Sequence, residues 1–93
     1  MQYVKGEITR AVPEYEVCRV WFDDTEGDDL RRWVATFRVY SRSAKLNGAV
    51  TLVLKSVVDD TDGEIRNLTQ REEAEVIRMA LRKVEDEAEF RAW

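Results

Sequence analysis

Thr69-Gln70-Arg71-Glu72-Glu73-Ala74-Glu75-Val76-Ile77-Arg78-Met79-Ala80-Leu81-Arg82-Lys83-Val84-Glu85-Asp86-Glu87-Ala88-Glu89-Phe90-Arg91-Ala92-Trp93 is the stretch that decides the fold. It opens with a capping box. The Thr69 hydroxyl can accept from the Glu72 amide while the Glu72 carboxylate reaches back to the Thr69 amide. Glu72, Glu73 and Glu75 place negative charge at the positive end of the helix dipole. Neither glycine nor proline follows to stop the helix, which is predicted over about 70–92. Ala74, Ile77, Leu81, Val84 and Ala88 fall on one stripe at roughly 100° per residue. Val76, Met79 and Phe90 form a second row, with Lys83 between them. That row is either the margin of a wide buried arc, with Lys83 snorkelling, or a second contact face for a twin subunit or a partner.

Almost everything before this stretch reads as β-strand. Strands are predicted at 3–12, 15–22, 32–40 and 49–58 from alternating apolar residues. Gly6 suggests a bulge in the first. The segment 49–58 is the most apolar and is expected at the centre of the sheet. Residues 64–68 are expected to add a short fifth strand. Asn47-Gly48 is a strong turn signal between the third and fourth strands. Short connections favour sequential pairing. The expected fold is therefore α+β: an antiparallel meander of four or five strands with one long C-terminal helix across one face. The whole of 1–93 is expected to be a single domain. Its expected core is Val4, Ile8, Cys18, Val20, Phe22, Trp33, Phe37, Leu52 and Leu54, buried under the helix stripe.

Composition excludes several chemistries. The chain has 93 residues, a net charge of −4 and no histidine. That removes histidine ligands, histidine bases and the usual nucleophile pairs built on them. The single cysteine, Cys18, cannot close an internal disulfide and sits in an apolar strand pattern, so a buried inert thiol in a reducing compartment is expected. The first seven residues carry no apolar run, so neither a secretory signal nor a membrane span is expected, and the location expected is cytoplasmic. There is no phosphate loop, dinucleotide fingerprint or metal-ligand spacing. No cofactor, no metal and no catalytic residue are expected, and the protein is not expected to be an enzyme.

Three surface features remain. Val17 to Asp28 resembles Val53 to Glu64: each is an apolar strand with one basic residue, running into Asp-Asp-Thr-acid-Gly-acid. In a meander both turns lie at one end of the sheet, gathering Asp23, Asp24, Glu26, Asp28, Asp29, Asp59, Asp60, Asp62 and Glu64. Such crowding is unfavourable unless solvent or a basic partner relieves it. Asp60, Asp62, Gly63 and Ile65 match part of a calcium loop, but Val58 and Thr69 stand where its first and last acids belong. The second feature is the acid-free stretch 30–58. With the second strand it presents Arg19, Trp21, Arg38, Tyr40 and Lys55 on one face, cations beside rings as a single-stranded nucleic-acid platform needs. An ordinary amphipathic strand face, or one covered by a dimer mate, explains the same residues. The third is charge polarity: Arg10, Arg42 and Lys45 mark the end opposite the acidic turns, and a two-fold dimer is the commonest closed outcome of pairing unlike ends. The function expected is a small, dimeric protein-interaction module of adaptor or inhibitor type, binding a basic partner through the acidic loops or the second helix face. The alternatives are a single-stranded nucleic-acid binder and a structural subunit of a larger assembly.

Overall fold

The computed structural model describes residues 1–12, 14–26, 29–41 and 50–91. Its elements are β1 (Gln2–Val12), β2 (Tyr15–Glu26), β3 (Asp29–Ser41), β4 (Val50–Asp59) and α1 (Gln70–Arg91). The strands form one antiparallel sheet in the order β1-β2-β3-β4, and the helix packs on one face. The α+β meander expected from the sequence is thus the observed fold. The fifth strand reduces to a single bridge between Ile65 and Val58.

The middle hairpin is longer than the alternation predicts. Asp23, Asp24, Thr25 and Glu26 remain in β2, opposite Arg32, Arg31, Leu30 and Asp29. Aspartate is a poor strand former on its own, but opposite charges directly across a ladder offset that preference.

The core lies between sheet and helix. Cys18, Val20 and Phe22 of β2, Trp33, Ala35, Phe37 and Val39 of β3, and Val57 of β4 meet Val76, Ala80 and Val84 of α1. Burying Phe22, Trp33 and Phe37 contributes roughly 1.5–3 kcal/mol each before ordering costs. Ile8, Leu52 and Leu54 pack against this cluster. Val4 does not join it: β1 shifts register between Tyr3 and Lys5, and Val4 is the residue without a partner of its own.

Gly6 is not the bulge; it pairs regularly with Val20. A side chain there would put its Cβ 2.9 Å from Cγ of Lys83 and 3.0 Å from the Tyr3 hydroxyl. The stem of Lys83 therefore crosses β1 at the one position without a Cβ.

The helix is rotated from its expected phase. Val76 and Ala80 are completely buried, whereas Ala74 and Leu81 are exposed. The sheet supplies the bulky side chains, Trp33, Phe22 and Phe37, so a close helix must answer with small ones. The Val76-Ala80-Val84 row does so; Val84 belongs to the expected stripe and Ile77 of that stripe packs at the margin of the core, while Leu81 stays exposed.

β4 departs from the expected alternation through a bulge. Thr36 opposes Ser56 and Phe37 opposes Leu54, leaving Lys55 as the extra residue. Leu52 and Leu54 therefore share the helix-side face with Val57 and Asp59, not with Val58. β4 is also at the edge of the sheet, not its centre.

Candidate interaction surfaces

The acidic turns do converge, and the chain's own arginines meet them. Asp23 accepts from Arg32 Nε at 2.9 Å and Asp24 from Arg66 Nη2 at 2.7 Å. Asp24 also lies 3.5 Å from the N-terminal ammonium. Arg31 donates to Asp59 at 2.8 Å, Asp62 at 3.4 Å and Glu64 at 2.8 Å. Arg66 donates in addition to Glu72. The guanidinium groups of Arg31 and Arg66 lie 4.8 and 5.0 Å from the centre of the Trp33 ring. These contacts form a charged lid over one end of the core.

Protonation follows this layout. The bond from Arg32 holds Asp23 below its ordinary value. Burial pushes Asp24 up, but the Arg66 bond and the N-terminal charge leave it lowered. Asp59 is lowered first by the amides of Asp62 and Thr61, then by Arg31. Those amides donate to its Oδ1 at 3.0 and 2.7 Å. Glu72 is lowered first by the Thr69 amide, at 3.0 Å, while the Glu72 amide donates to the Thr69 hydroxyl at 3.2 Å. The capping box is thus formed and tied to the lid. Arg31 is raised, first by its bond to Glu64. Burial lowers Arg66, but its bonds to Asp24 and Glu72 leave it raised.

The nine acidic residues singled out by sequence therefore separate. Asp24 and Asp59 are structural, and Asp59 is only 6% exposed. Asp23 is engaged across the hairpin. Asp29, Asp60, Asp62 and Glu64 face solvent. Asp60 also accepts from the Trp21 indole at 3.2 Å. Asp28 and the side chain of Glu26 lie outside the described residues, as do Arg42 and Lys45 and the side chain of Arg10. What sequence reasoning missed is the service of Arg31, Arg32 and Arg66. Part of the signal was present: a hairpin that sets Glu26 opposite Asp29 sets Asp24 opposite Arg31 and Asp23 opposite Arg32.

The second helix face resolves differently. Val76 is core and is not available to a partner. Met79 is half-buried and lines a groove of about 460 Å³ with Tyr3, Arg78, Arg82, Lys83 and Asp86. The side chain of Phe90 lies outside the described residues.

The basic–aromatic face is assembled on the side of the sheet away from the helix. Lys5 sits 4.5 Å from the centre of the Trp21 ring, and Arg38 sits 4.6 Å from that of Tyr15. The Tyr15 and Tyr40 rings are 5.6 Å apart. Arg38 is raised, first by its bond to Tyr40. Arg19, however, lies 3.8 Å from Glu7, and the Trp21 indole is turned to Asp60. Carboxylates thus break up the cationic surface. Lys55 is exposed at the β4 bulge.

The remaining surface is the β4 edge. Backbone bonds from Asp59 to Glu64 and from Arg66 to Val57, each 2.9 Å, cap its C-terminal end. Over 50–56 no strand among the described residues pairs with its outer side. Val50, Leu52 and Leu54 are half-buried there, and Val53 is 38% exposed. No described helix is long and apolar enough to cross a membrane, and no described residues group as a metal site. No family model, curated protein or solved structure matches the chain.

Proposed function

We propose that the protein is a small interaction module that binds another protein and does not act as a catalyst. The observation that carries this is the position of β4, whose apolar strand lies at an edge instead of inside the sheet. An unpaired apolar edge is a template for another chain, and monomeric proteins usually blunt such edges. The exposed carboxylates Asp29 and Asp60, which are not among those bonded by Arg31, Arg32 or Arg66, give the adjoining end of the molecule a negative sign, so a partner with a basic surface fits. The lone buried cysteine suits a reducing, cytoplasmic setting.

The test is capture of interacting proteins on immobilised protein, using two variants. One carries Asp29→Asn and Asp60→Asn, which spares the carboxylates bonded by Arg31, Arg32 and Arg66 and should leave the fold intact. The other is Val53→Lys, which places a charge on the open edge. Both are expected to lose the captured partner, the first by weakening charge attraction and the second by blocking strand addition. Capture unchanged by either variant would remove both surfaces. The single-stranded nucleic-acid alternative draws less support, because Glu7 and Asp60 sit among its cations and rings. It predicts steeply salt-dependent anisotropy with labelled single-stranded DNA, lost in Trp21→Ala.

A further inference from the structure

The chain carries a net charge of −4, yet the groove between α1 and β1 is cationic. Its walls present Arg78, Arg82 and Lys83 against a single carboxylate, Asp86. Arg78 and Arg82 are four residues apart, so they stand one turn apart on the same face of the helix. Both are exposed, and no carboxylate of a described residue lies within ion-pair distance of either. Arg31, Arg32 and Arg66, by contrast, each bond at least one carboxylate. We propose that this groove binds a small organic anion, a carboxylate or phosphate head on a short apolar body, with the head held by Arg78 and Arg82. The proposal is independent of the β4 edge and of the acidic end.

The rest of the groove suits the apolar body. Met79 is half-buried and packs against the core, so its flexible, polarizable side chain offers an adaptable floor. Tyr3 is 45% exposed, and its hydroxyl lies 3.0 Å from where a Cβ on Gly6 would stand. Because Gly6 has no side chain, the stem of Lys83 lies over β1 there and adds methylene surface. The volume of about 460 Å³ falls within the range of roughly 300–1,000 Å³ typical of small-molecule sites. A protein partner would instead cover a broad surface, about 800 Å² on each side. Guanidinium groups match the paired oxygens of carboxylate and phosphate. Asp86 stands one turn beyond Arg82, so it repels an anion from that end and favours the head at Arg78 and Arg82.

The test is NMR titration of isotope-labelled protein with octanoate and with octyl phosphate, using octylammonium as the cationic control, all below their micelle concentrations. The chain has two methionines, so the Met79 methyl is a readily resolved reporter of the groove. Both anions are expected to shift the Met79 methyl and Tyr3 ring signals saturably, and octylammonium is not. Arg78→Gln combined with Arg82→Gln should weaken binding by about tenfold or more, because two charge-assisted contacts are lost. Both side chains are exposed, so the melting temperature should stay at the wild-type value. Arg71→Gln, exposed on the same helix outside the groove, should bind like wild type. Binding of only one anion would support the site and assign its head group. Should the double variant misfold, the comparison with octylammonium decides. The proposal is overturned if neither anion gives saturable shifts, if octylammonium binds equally well, or if a folded double variant binds like wild type. It is overturned too if a glutamate-rich peptide or anionic vesicles occupy the groove while neither dispersed anion does.

Discussion

Asp23-Asp24-Thr25 and Asp59-Asp60-Thr61 share a sequence and end up in different structures. The first stays within a strand, paired across to β3. In the second, Asp59 ends its strand and the chain turns, with its carboxylate gathering the Thr61 and Asp62 amides and Gly63 at φ 75°. Their facing is also reversed. Asp23 points away from the helix and Asp24 toward it. Asp59 points toward the helix and Asp60 away. Two causes account for this. β2 is interior and has a neighbour to keep it extended, whereas β4 is at the edge. The extra residue at Lys55 also shifts the alternation by one. A repeat in sequence is therefore not a repeat in role. Asp24 and Asp59 hold the lid, while Asp23 and Asp60 belong to the open face.

That contrast can be broken most severely at Arg66, which binds Asp24 and Glu72 and covers Trp33. Its side chain is only 13% exposed. Arg66→Met is expected to cost about 3 kcal/mol by leaving two carboxylates without their cation. Thermal melting should read this as a fall of more than about 10 °C.

Next comes pH. Asp23, Asp24, Asp59 and Glu72 are all held below their ordinary values. Their contribution to stability is complete above the unfolded carboxylate values, near pH 4, and disappears as pH falls through the lower folded values. Denaturant midpoints should be flat in this respect above about pH 5 and fall below it. Arg66→Met should show a shallower fall, since Asp24 and Glu72 lose their cation. An equally steep fall would show that the lid is not the source.

The paired aspartates should separate. Asp59→Ala removes the acceptor of two amides and of Arg31, and should lower the melting temperature several times more than Asp23→Ala. Asp59→Asn should fall between them, because it retains an oxygen for the amides. Equal losses at 23 and 59 would erase the distinction between lid and open face.

The smallest effect is expected from deleting Lys55. Leu54 opposite Phe37 and Ser56 opposite Thr36 would then be consecutive, and every side chain would keep its face. A melting temperature close to wild type is the expected result, and large destabilisation would mean that the bulge itself is required. Cys18 gives an independent check on packing. Burial pushes its thiol up to about 11, against the opposing charge of Lys83. It should resist thiol reagents near pH 8 until the protein unfolds.

Much of this layout was legible in the residues. The Thr69–Glu72 capping box, the four strands and the burial of Cys18, Val20, Phe22, Trp33 and Phe37 all follow from local periodicity and hydrogen-bonding capacity. The candidate surfaces were legible only in part. Asp23 and Asp59 look alike in sequence, and no local rule says that Arg31 will pass over Asp24 across the ladder and claim Asp59. The helix phase was legible in part: Val84 of the expected stripe is buried and Ile77 packs at the core margin, but Val76 and Ala80, a weaker apolar pair than Ile77 and Leu81, are the most deeply buried. Hydrophobicity alone ranks the larger residues first, whereas the aromatic surface of the sheet selects the smaller ones.

By itself the sequence determined the order of elements, the antiparallel pairing and the apolar content of β4. Short connections and period-two patterns leave few other arrangements. Only the tertiary structure decided that β4 lies at the edge, that Lys55 is a bulge, and that Arg31 reaches Asp59 while Arg66 reaches Asp24 and Glu72. Each of these depends on which residues meet across large separations in the chain. That meeting is set by packing and charge in three dimensions, not by any local propensity.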